Sequence, residues 1–456
     1  MTVTAPSADL LVRDADCVIT MAGDDFAGGW VAITDGRVVG TGKAGVEPDA
    51  RETIDARGCL VTPGLVNAHH HLFQNLTRAH FGSSSEDLDG WLRALRPMWA
   101  RRLDEESTYL SAWVGLADLA LAGCTTTADH LYLHPRPALV DAELRAAREV
   151  GLRLDPVRGF IDASVLDVEG AEDLDEVLAD AQRLLETWHD PSPSSQTRVG
   201  LGPTSLGVTT TKALSAVAEL TEPFGARMHI HLFEEADEAA RSREIHGGEP
   251  VTVLVDAGWS ERSWVAHGNH LSETAAAALA SARIGMAHCP SSNLLLGGPP
   301  ARVPMLTDAG VVVGLGTDGS ASSGTSSLWL EARTALLLGR MHAGPSAFTA
   351  RDVLALATLG GAECLGRTAE IGALTPGMQA DLVVWEAGGP AYSGAVTDPV
   401  ETWIRCGPPR ARHTLVGGRV VVRDGIVTAP GLDGVLNDHA RLARDWQRAE
   451  TQGETQ

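Results

Sequence analysis

Short apolar runs alternate with amphipathic helical segments through the middle of this chain. The helical spacing of Leu110, Trp113, Ala117 and Leu121 predicts a helix over 104–122, and a similar pattern predicts another over 174–185. Between the helical segments lie short runs that are typical of strands. Eight strands separated by helices predict an α/β protein with a (β/α)₈ TIM-like barrel. The eight predicted strands are 65–71, 124–130, 152–158, 197–202, 226–231, 264–267, 284–288 and 311–318.

The two ends of the chain follow a different pattern, with short strands joined by tight turns. Asp35-Gly36 separates two apolar runs and predicts a hairpin, and similar runs return over 380–385 and 414–425. We therefore predict a small β-sandwich domain built from residues 1–62 and 371–456, around a catalytic barrel of residues 63–370. Two separate β modules are the alternative.

Composition narrows the classes of partner. The chain has 456 residues, with 59 acidic and 36 basic side chains, so its net charge is −23. Such a field repels phosphate backbones, so we expect no nucleic-acid partner. Length alone fits about three domains or one large barrel with insertions.

The cysteines and the apolar runs suggest a compartment. Six cysteines are widely scattered without a Cys-x-x-Cys pair, which favours reduced thiols over a disulfide framework. The first fifteen residues do not resemble a signal peptide, and no run approaches 18 apolar residues. We expect a soluble, cytoplasmic protein with no membrane partner.

Histidine and aspartate recur where predicted strands end, which is where barrel enzymes carry their functional residues. Any one of them is most simply a buried core histidine or a helix-capping aspartate. That explanation does not account for all of them lying at the ends of predicted strands. These residues are His69, His71, His231, His267, His288 and Asp318.

Four of these residues suit a metal ion. On a strand, His69 and His71 project to the same side and His70 to the other. With His231 and Asp318 they form a nitrogen-rich set with one carboxylate, which suits one Zn²⁺ or Fe²⁺ ion and is poor for Ca²⁺ or Mg²⁺. We expect one divalent metal, Zn²⁺ first and Fe²⁺ second.

One member of this set and two residues near it suit proton transfer. Asp318 can accept a proton from water, and Glu234, three residues after His231, can carry one to a ring nitrogen. His267 can hydrogen-bond the attacking water or the developing oxygen. A solvated loop acid is the alternative for Glu234, because three more acidic residues follow closely.

Five stretches resemble the amidohydrolase superfamily: 63–71, 231–234, 265–267, 287–293 and 316–322. More narrowly, they resemble its aminohydrolase branch, which deaminates nucleobases and related heterocycles. Residues 374–382 and 416–420 look like the return of that family's β-sandwich. The resemblance covers nearly the whole chain.

The resemblance implies a single metal ion held by His69, His71, His231 and Asp318, with Glu234 as proton shuttle and His267 as polarising partner. Binuclear relatives carry a bridging lysine at the fourth strand, where this chain has 202–205 without lysine. The other zinc-deaminase fold uses His-x-Glu with Pro-Cys-x-x-Cys, and neither motif occurs here.

The finer resemblance is to 8-oxoguanine and isocytosine deaminases, with hydroxy-triazine aminohydrolases more distant. It implies three substrate-binding residues: Gln74 bonds a ring amide, Trp91 packs on the ring face, and Arg158 binds from the third strand end. Plain core packing is the alternative for Trp91. After Arg158-Gly159 the chain departs from those deaminases over 160–166, where Asp162 suggests a different ring.

We therefore predict a metal-dependent hydrolase that takes water and a small heterocyclic amine and releases ammonia. The first alternative keeps the metal site and hydrolyses a substituted s-triazine, with amine or chloride removal, or a cyclic amide. The second is a non-catalytic metal-binding or scaffold protein, which would be expected to have lost ligands or Glu234. The family's habit implies a homo-oligomer.

Overall fold

The computed structural model describes residues 8–453, and both ends of the chain enter one mixed sheet. Its N-terminal strands are β1 (Ala8–Val18), β2 (Phe26–Thr34), β3 (Arg37–Lys43), β4 (Ala50–Asp55) and β5 (Cys59–Pro63). The predicted hairpin forms between β2 and β3, where Asp35 and Gly36 both have positive φ.

A closed parallel barrel follows, and it confirms the predicted fold class. Its eight strands are β6 (Leu65–Asn67), β7 (Cys124–Leu131), β8 (Arg153–Arg158), β9 (Gly200–Leu201), β10 (Met228–Leu232), β11 (Ser263–His267), β12 (Gly285–His288) and β13 (Val313–Leu315). They pair in the order β10-β11-β12-β13-β6-β7-β8-β9. Every barrel strand is fully buried, because helices cover the outside and side chains fill the inside.

The C-terminal part returns to the first sheet with β14 (Leu382–Glu386), β15 (Ala411–Val416), β16 (Arg419–Arg423) and β17 (Ile426–Val427). Strand β14 pairs antiparallel with β5, so the two chain ends share one nine-stranded sheet among the described residues. The terminal β domain is therefore a single unit and not two separate modules.

Sixteen α-helices lie within the described residues, and both helices that the sequence predicted are among them. The helix predicted over 104–122 begins after a capping box between Asp104 and Ser107 and ends at Leu121, shortly before Gly123, which has φ +82°. They are α1 (Leu88–Arg102), α2 (Glu105–Leu121), α3 (Leu139–Val150), α4 (Leu174–Trp188), α5 (Thr211–Thr221), α6 (Glu238–His246), α7 (Pro250–Asp256), α8 (Glu273–Ala282), α9 (Pro290–Leu295), α10 (Val303–Asp308), α11 (Ser320–Ser323), α12 (Leu328–Ala343), α13 (Ala350–Ala355), α14 (Gly361–Cys364), α15 (Pro399–Arg405) and α16 (Leu432–Gly453).

Strand β6 is shorter than the predicted 65–71, since it ends at Asn67 and the histidines follow it. The Asn67 amide bonds the hydroxyls of Thr127 and Thr317, and its oxygen accepts the Thr317 backbone N–H at 2.9 Å. These side-chain bonds join the end of β6 to the segments on either side of it. His69 and His71 therefore lie just beyond the strand, where the His69 carbonyl oxygen still accepts the Asp318 backbone N–H at 3.1 Å.

Within residues 8–453, no helix combines the length and the apolar character needed to cross a bilayer. All six cysteines are free, and five of them are buried.

A buried acid pair supports the backbone behind the histidines. Asp129 on β7 accepts the backbone N–H of Leu72, and Glu143 on α3 lies next to its carboxyl group. Burial, and then the charge of Asp129, raises the pKa of Glu143 well above its usual 4.5. The pair therefore holds a proton in the folded protein.

We expect Glu143→Gln to raise the melting temperature at pH 8.5 and to change it little at pH 4. Above pH 4.5 the unfolded chain loses this proton first, so stability from Glu143 falls as pH rises towards its folded pKa. Glutamine removes that titration and can still donate to Asp129. Thermal melts from pH 4 to pH 9 check this, and an equal gain at every pH would contradict it.

Candidate metal and catalytic site

The predicted metal-binding residues meet at the C-terminal end of the barrel. The Asp318 Oδ1 atom lies 3.4 Å from His69 Nε2 and 3.3 Å from His71 Nε2. His231 Nε2 lies 3.1 Å from His71 Nε2. Bonds of about 2.0–2.1 Å to a tetrahedral ion put ligand atoms roughly 3.3–3.4 Å apart. The cluster therefore has the spacing that one small divalent cation requires.

Outer hydrogen bonds fix which imidazole nitrogen carries the proton. The Nδ1 atoms of His71 and His231 lie 2.6 Å from the carbonyl oxygens of His130 and Thr204. A carbonyl only accepts, so each Nδ1 is the donor. Each Nε2 then presents a lone pair towards the cluster, as a metal ligand must.

His229 fixes the tautomer of His69 in the same way, through one further ring. Its Nδ1 donates to the Trp264 carbonyl oxygen at 2.9 Å, so its Nε2 is an acceptor. That Nε2 lies 2.8 Å from His69 Nδ1, which must therefore donate and leave His69 Nε2 bare. The sequence contained a signal for His229, because it lies two residues before His231 on β10 and side chains two residues apart on a strand face the same side.

We expect His229→Phe to weaken zinc affinity by about 10- to 100-fold, the usual cost of losing a residue that orients a metal ligand. The phenyl ring keeps the stacking on Trp264, whose ring centre lies 4.4 Å away, but it cannot accept from His69. Competition with a fluorescent chelator measures the affinity. Wild-type affinity in the variant would exclude this role.

Electrostatics prepare the cluster for a cation. Burial lowers the pKa of His69, His71, His231 and His267, so these rings are neutral at neutral pH. Burial alone would raise the pKa of Asp318, whereas the Ser292 and Ser322 hydroxyls and the Gly319 N–H, which donate to its carboxylate, favour the ionised form. Neutral nitrogen donors around one carboxylate fit a divalent metal, and the ligand atoms of His69, His231 and His267 also lie within 4.8 Å of one another.

Asp318 is itself held in place by residues that the sequence analysis did not single out. Its Oδ2 atom accepts the hydroxyls of Ser292 and Ser322, the latter at 3.0 Å. Its φ of +56° is left-handed, which aspartate and asparagine tolerate better than most residues. Ser292 lies within the 287–293 stretch, so that motif contained a signal for it.

A cavity of about 250 Å³ opens beside the cluster and contains the proposed proton shuttle. The Glu234 Oε1 atom lies 3.6 Å from His267 Nε2, and Glu234 is partly buried rather than a solvated loop acid. Burial raises its pKa to about 7. The carboxyl group of the buried Glu238 accepts the Glu234 backbone N–H at 3.1 Å and so orients this turn.

His267 and His288 end adjacent strands but differ in position. The His267 Nδ1 atom lies 2.9 Å from the Asn293 amide oxygen, which makes Nδ1 the donor and leaves Nε2 bare towards Glu234. His288 is fully buried, both its nitrogens are without a partner among the described residues, and it does not line the cavity. His70 likewise points away, towards Asp129 at 3.9 Å.

Gln74 and Trp91 line the same cavity. Both polar atoms of the Gln74 amide are buried and have no hydrogen-bond partner among the described residues. Trp91 is also part of the core, because its ring packs edge to face on Trp99 and its Nε1 donates to the Ala321 carbonyl.

Arg158 does not line the cavity, unlike the expectation from sequence. Its guanidinium group is buried between Glu172 and Asp180, at 2.6 and 3.2 Å. These ion pairs fix the loop after β8. Asp162 is not available to a substrate either, since it accepts from Ser164 and Thr210. The 160–166 loop reaches the cavity through its apolar residues Ile161 and Leu166.

Comparison with known proteins agrees with this geometry. The Amidohydrolase family model matches residues 60–421. The 8-oxoguanine deaminase of Pseudomonas aeruginosa is 37% identical over 95% of this chain and 98% of that protein. Hydroxydechloroatrazine ethylaminohydrolase of Pseudomonas sp. strain ADP is 34% identical over 91% of this chain and 90% of that protein.

The chain is also similar to a solved structure in three dimensions. Atrazine chlorohydrolase of Arthrobacter aurescens TC1, complexed with zinc, superposes with a TM-score of 0.91 at 29% identity, over 95% of this chain and all of that one. Zinc in that relative and the nitrogen-rich cluster here agree on Zn²⁺. This chain therefore belongs to the amidohydrolase family and is a divalent-metal hydrolase that acts on C–N bonds.

Proposed function

We propose that this protein hydrolyses the exocyclic amine of a nitrogen heterocycle, leaving a carbonyl group on the ring and releasing ammonia. The observation that carries the proposal is the position of Glu234. An acid with a pKa of about 7 lies within 4 Å of His267 at the edge of a ring-sized cavity, so it can both give and take a proton near neutral pH.

His69, His71, His231 and Asp318 would hold the metal ion, with His267 at the edge of the set. When bound, the metal lowers the pKa of a water molecule so that a nucleophile exists near neutral pH. The residues already have the protonation that this requires, because outer hydrogen bonds leave the Nε2 atoms of these three histidines and of His267 bare.

The chain's own residues then divide the proton transfers. Glu234 donates a proton to the ring nitrogen next to the amine-bearing carbon, which makes that carbon more electrophilic. Asp318 accepts the proton of the attacking water and gives it to the departing amine. His267 accepts a hydrogen bond from the water through its bare Nε2 and so fixes the direction of attack.

The cavity favours a small, flat, polar ring. Its apolar lining comes from Trp91, Tyr132, Ile161 and Leu166. The Gln74 amide adds one hydrogen-bond donor and one acceptor that have no partner among the described residues. A ring amide has the complementary pair. We therefore place 8-oxoguanine and isocytosine first among candidate substrates, in line with the curated relative that deaminates 8-oxoguanine.

The test is ammonia release by metal-loaded protein from 8-oxoguanine, isocytosine, guanine, a pterin and amino-triazines. We expect turnover of at least one oxopurine or oxopyrimidine. Ammonia from none of the free amines would overturn the proposal.

A second candidate keeps the site and changes the bond. It is hydrolysis of an alkylamino- or chloro-triazine, and the zinc-bound atrazine chlorohydrolase favours it through a TM-score of 0.91. Alkylamine or chloride release, with no ammonia from the free amines, would select this candidate.

A cytoplasmic location and a homo-oligomeric state stay predictions, and sedimentation analysis tests the oligomeric state.

A further inference from the structure

A second cavity, of about 150 Å³, lies at the opposite end of the barrel from the catalytic cluster. Strands β8 to β11 begin here, and Arg227 directly precedes β10, whose other end carries His231. The ionisable residues that line it are Asp155, His189, Arg198 and Arg227. None of these residues contributes to the proposed chemistry.

Arg227 lacks the partner that a desolvated charge requires. The residue is partly buried, and its Nε atom is enclosed without a hydrogen-bond partner among the described residues. Its Cζ atom lies 5.8 Å from the centre of the Trp264 ring. Burial lowers its pKa to about 10, so it stays charged at neutral pH. Leaving a desolvated charge unpaired is costly, so an anion in this cavity would stabilise the fold.

The neighbouring acids are already neutralised. Asp155 receives two bonds from Arg367, at 2.7 and 2.9 Å, and Glu370 pairs with Arg367 and Arg198. The lining residues and these partners carry three guanidinium groups and two carboxylates. One positive charge is therefore left over, and Arg227 is the group without a partner.

His189 specifies a second property of the ligand. Its Nδ1 lies 3.1 Å from the Val199 carbonyl oxygen and must donate to it. Burial lowers the pKa of His189, so the ring is neutral and its enclosed Nε2 is an acceptor without a partner. The cavity therefore offers a cation to a negatively charged oxygen and an acceptor to a hydroxyl group.

A protonated phosphate group has both features, whereas sulfate and chloride have no proton to donate. The cavity also has room for such a group, because about 150 Å³ is well above the roughly 10–15 Å³ that one water molecule needs. We propose that this cavity binds a protonated phosphate group, with a charged oxygen on Arg227 and the hydroxyl group on His189.

The experiment is calorimetric titration of the full-length, metal-loaded protein at pH 7 and constant ionic strength with phosphate, methyl phosphate and sulfate. We expect saturable phosphate binding that is at least about tenfold tighter than sulfate binding, because sulfate leaves His189 unsatisfied. Methyl phosphate binding as tightly as phosphate would assign the site to phosphomonoesters, and weaker binding would assign it to inorganic phosphate.

Matched variants locate the binding. Arg227→Gln is expected to weaken phosphate binding at least about tenfold. Arg51→Gln makes the same charge change on an arginine with 77% of its side chain exposed and is expected to have no effect. His189→Phe should abolish the preference over sulfate. Phosphate held at the catalytic end would be insensitive to Arg227→Gln, so an unchanged affinity overturns the proposal.

A wild-type measurement covers the case in which Arg227→Gln does not fold. Equal affinity of the wild-type protein for phosphate and sulfate, or no saturable phosphate binding, would overturn the proposal on its own. The outcome is independent of the proposed deaminase activity, because no substrate is present.

Discussion

Glu234→Gln is expected to lower the turnover of the deaminated substrate by about 10²- to 10⁴-fold, the range that a positioned proton donor contributes. Glutamine has nearly the same shape and can still bond the ring, but it cannot deliver a proton to a ring nitrogen. Because Glu234 is not among the residues proposed to hold the ion, metal content should stay at the wild-type value. Ammonia release and elemental analysis of the same preparation measure both quantities.

The matched control for this prediction is Asp237→Asn in the same turn. Asp237 is 66% exposed, pairs with Arg241 at 3.1 Å and does not line the cavity. The substitution removes one negative charge three residues from Glu234. It therefore separates the loss of proton transfer from a general change in the electrostatic field of the site. Near-wild-type turnover in Glu234→Gln with metal bound would refute the proton-shuttle role.

The periodicity of the chain predicts the barrel because each strand is buried on both faces and must be a short apolar run. It also predicts which ends carry polar residues, since the C-terminal ends of parallel strands converge on one face of a barrel. His231 and His267 follow this rule closely, because each lies in the last two residues of its strand. Element bounds were less predictable at β6 and β9, which are only three and two residues long and shorter than the predicted 65–71 and 197–202.

The surroundings of each functional residue depend on contacts that are distant in sequence. Arg158 sits at a strand end like the histidines, but its partner Glu172 comes from a later loop and turns the side chain away from the cavity. Nothing in the local pattern near Arg158 specifies that partner. His229 was easier to find, because alternation along β10 places it on the same side as His231, two residues away.

The orienting hydrogen bonds need three-dimensional information for the same reason. The Thr204 carbonyl that fixes the tautomer of His231 belongs to the loop after β9, and the Asn293 amide that orients His267 belongs to α9, which follows β12. The sequence identifies donors and acceptors, but it does not pair them. Tautomers, and hence the direction of each lone pair, follow only from the pairing.

Asp318→Asn is expected to have the other large effect, a loss of turnover of at least about 10²-fold together with weaker metal binding, since a general base and a ligand are lost in one change. The substitution suits this backbone, because asparagine tolerates the φ of +56° that Asp318 adopts. The amide can still accept from Ser322, so the surrounding turn should persist. What disappears is the negative charge that faces His69 and His71 at 3.4 and 3.3 Å.

Asp424→Asn provides a control with the same chemistry and the same backbone region. Its φ is +51°, and 67% of its side chain is exposed on the terminal sheet, away from the catalytic cavity. Turnover, zinc affinity by chelator competition and melting temperature should be measured on both variants. If Asp318→Asn loses activity but keeps wild-type zinc affinity, Asp318 acts as a proton acceptor and is not a metal ligand. If it retains wild-type turnover, neither role holds, and Glu234 and His267, which also line the cavity, become the candidate bases.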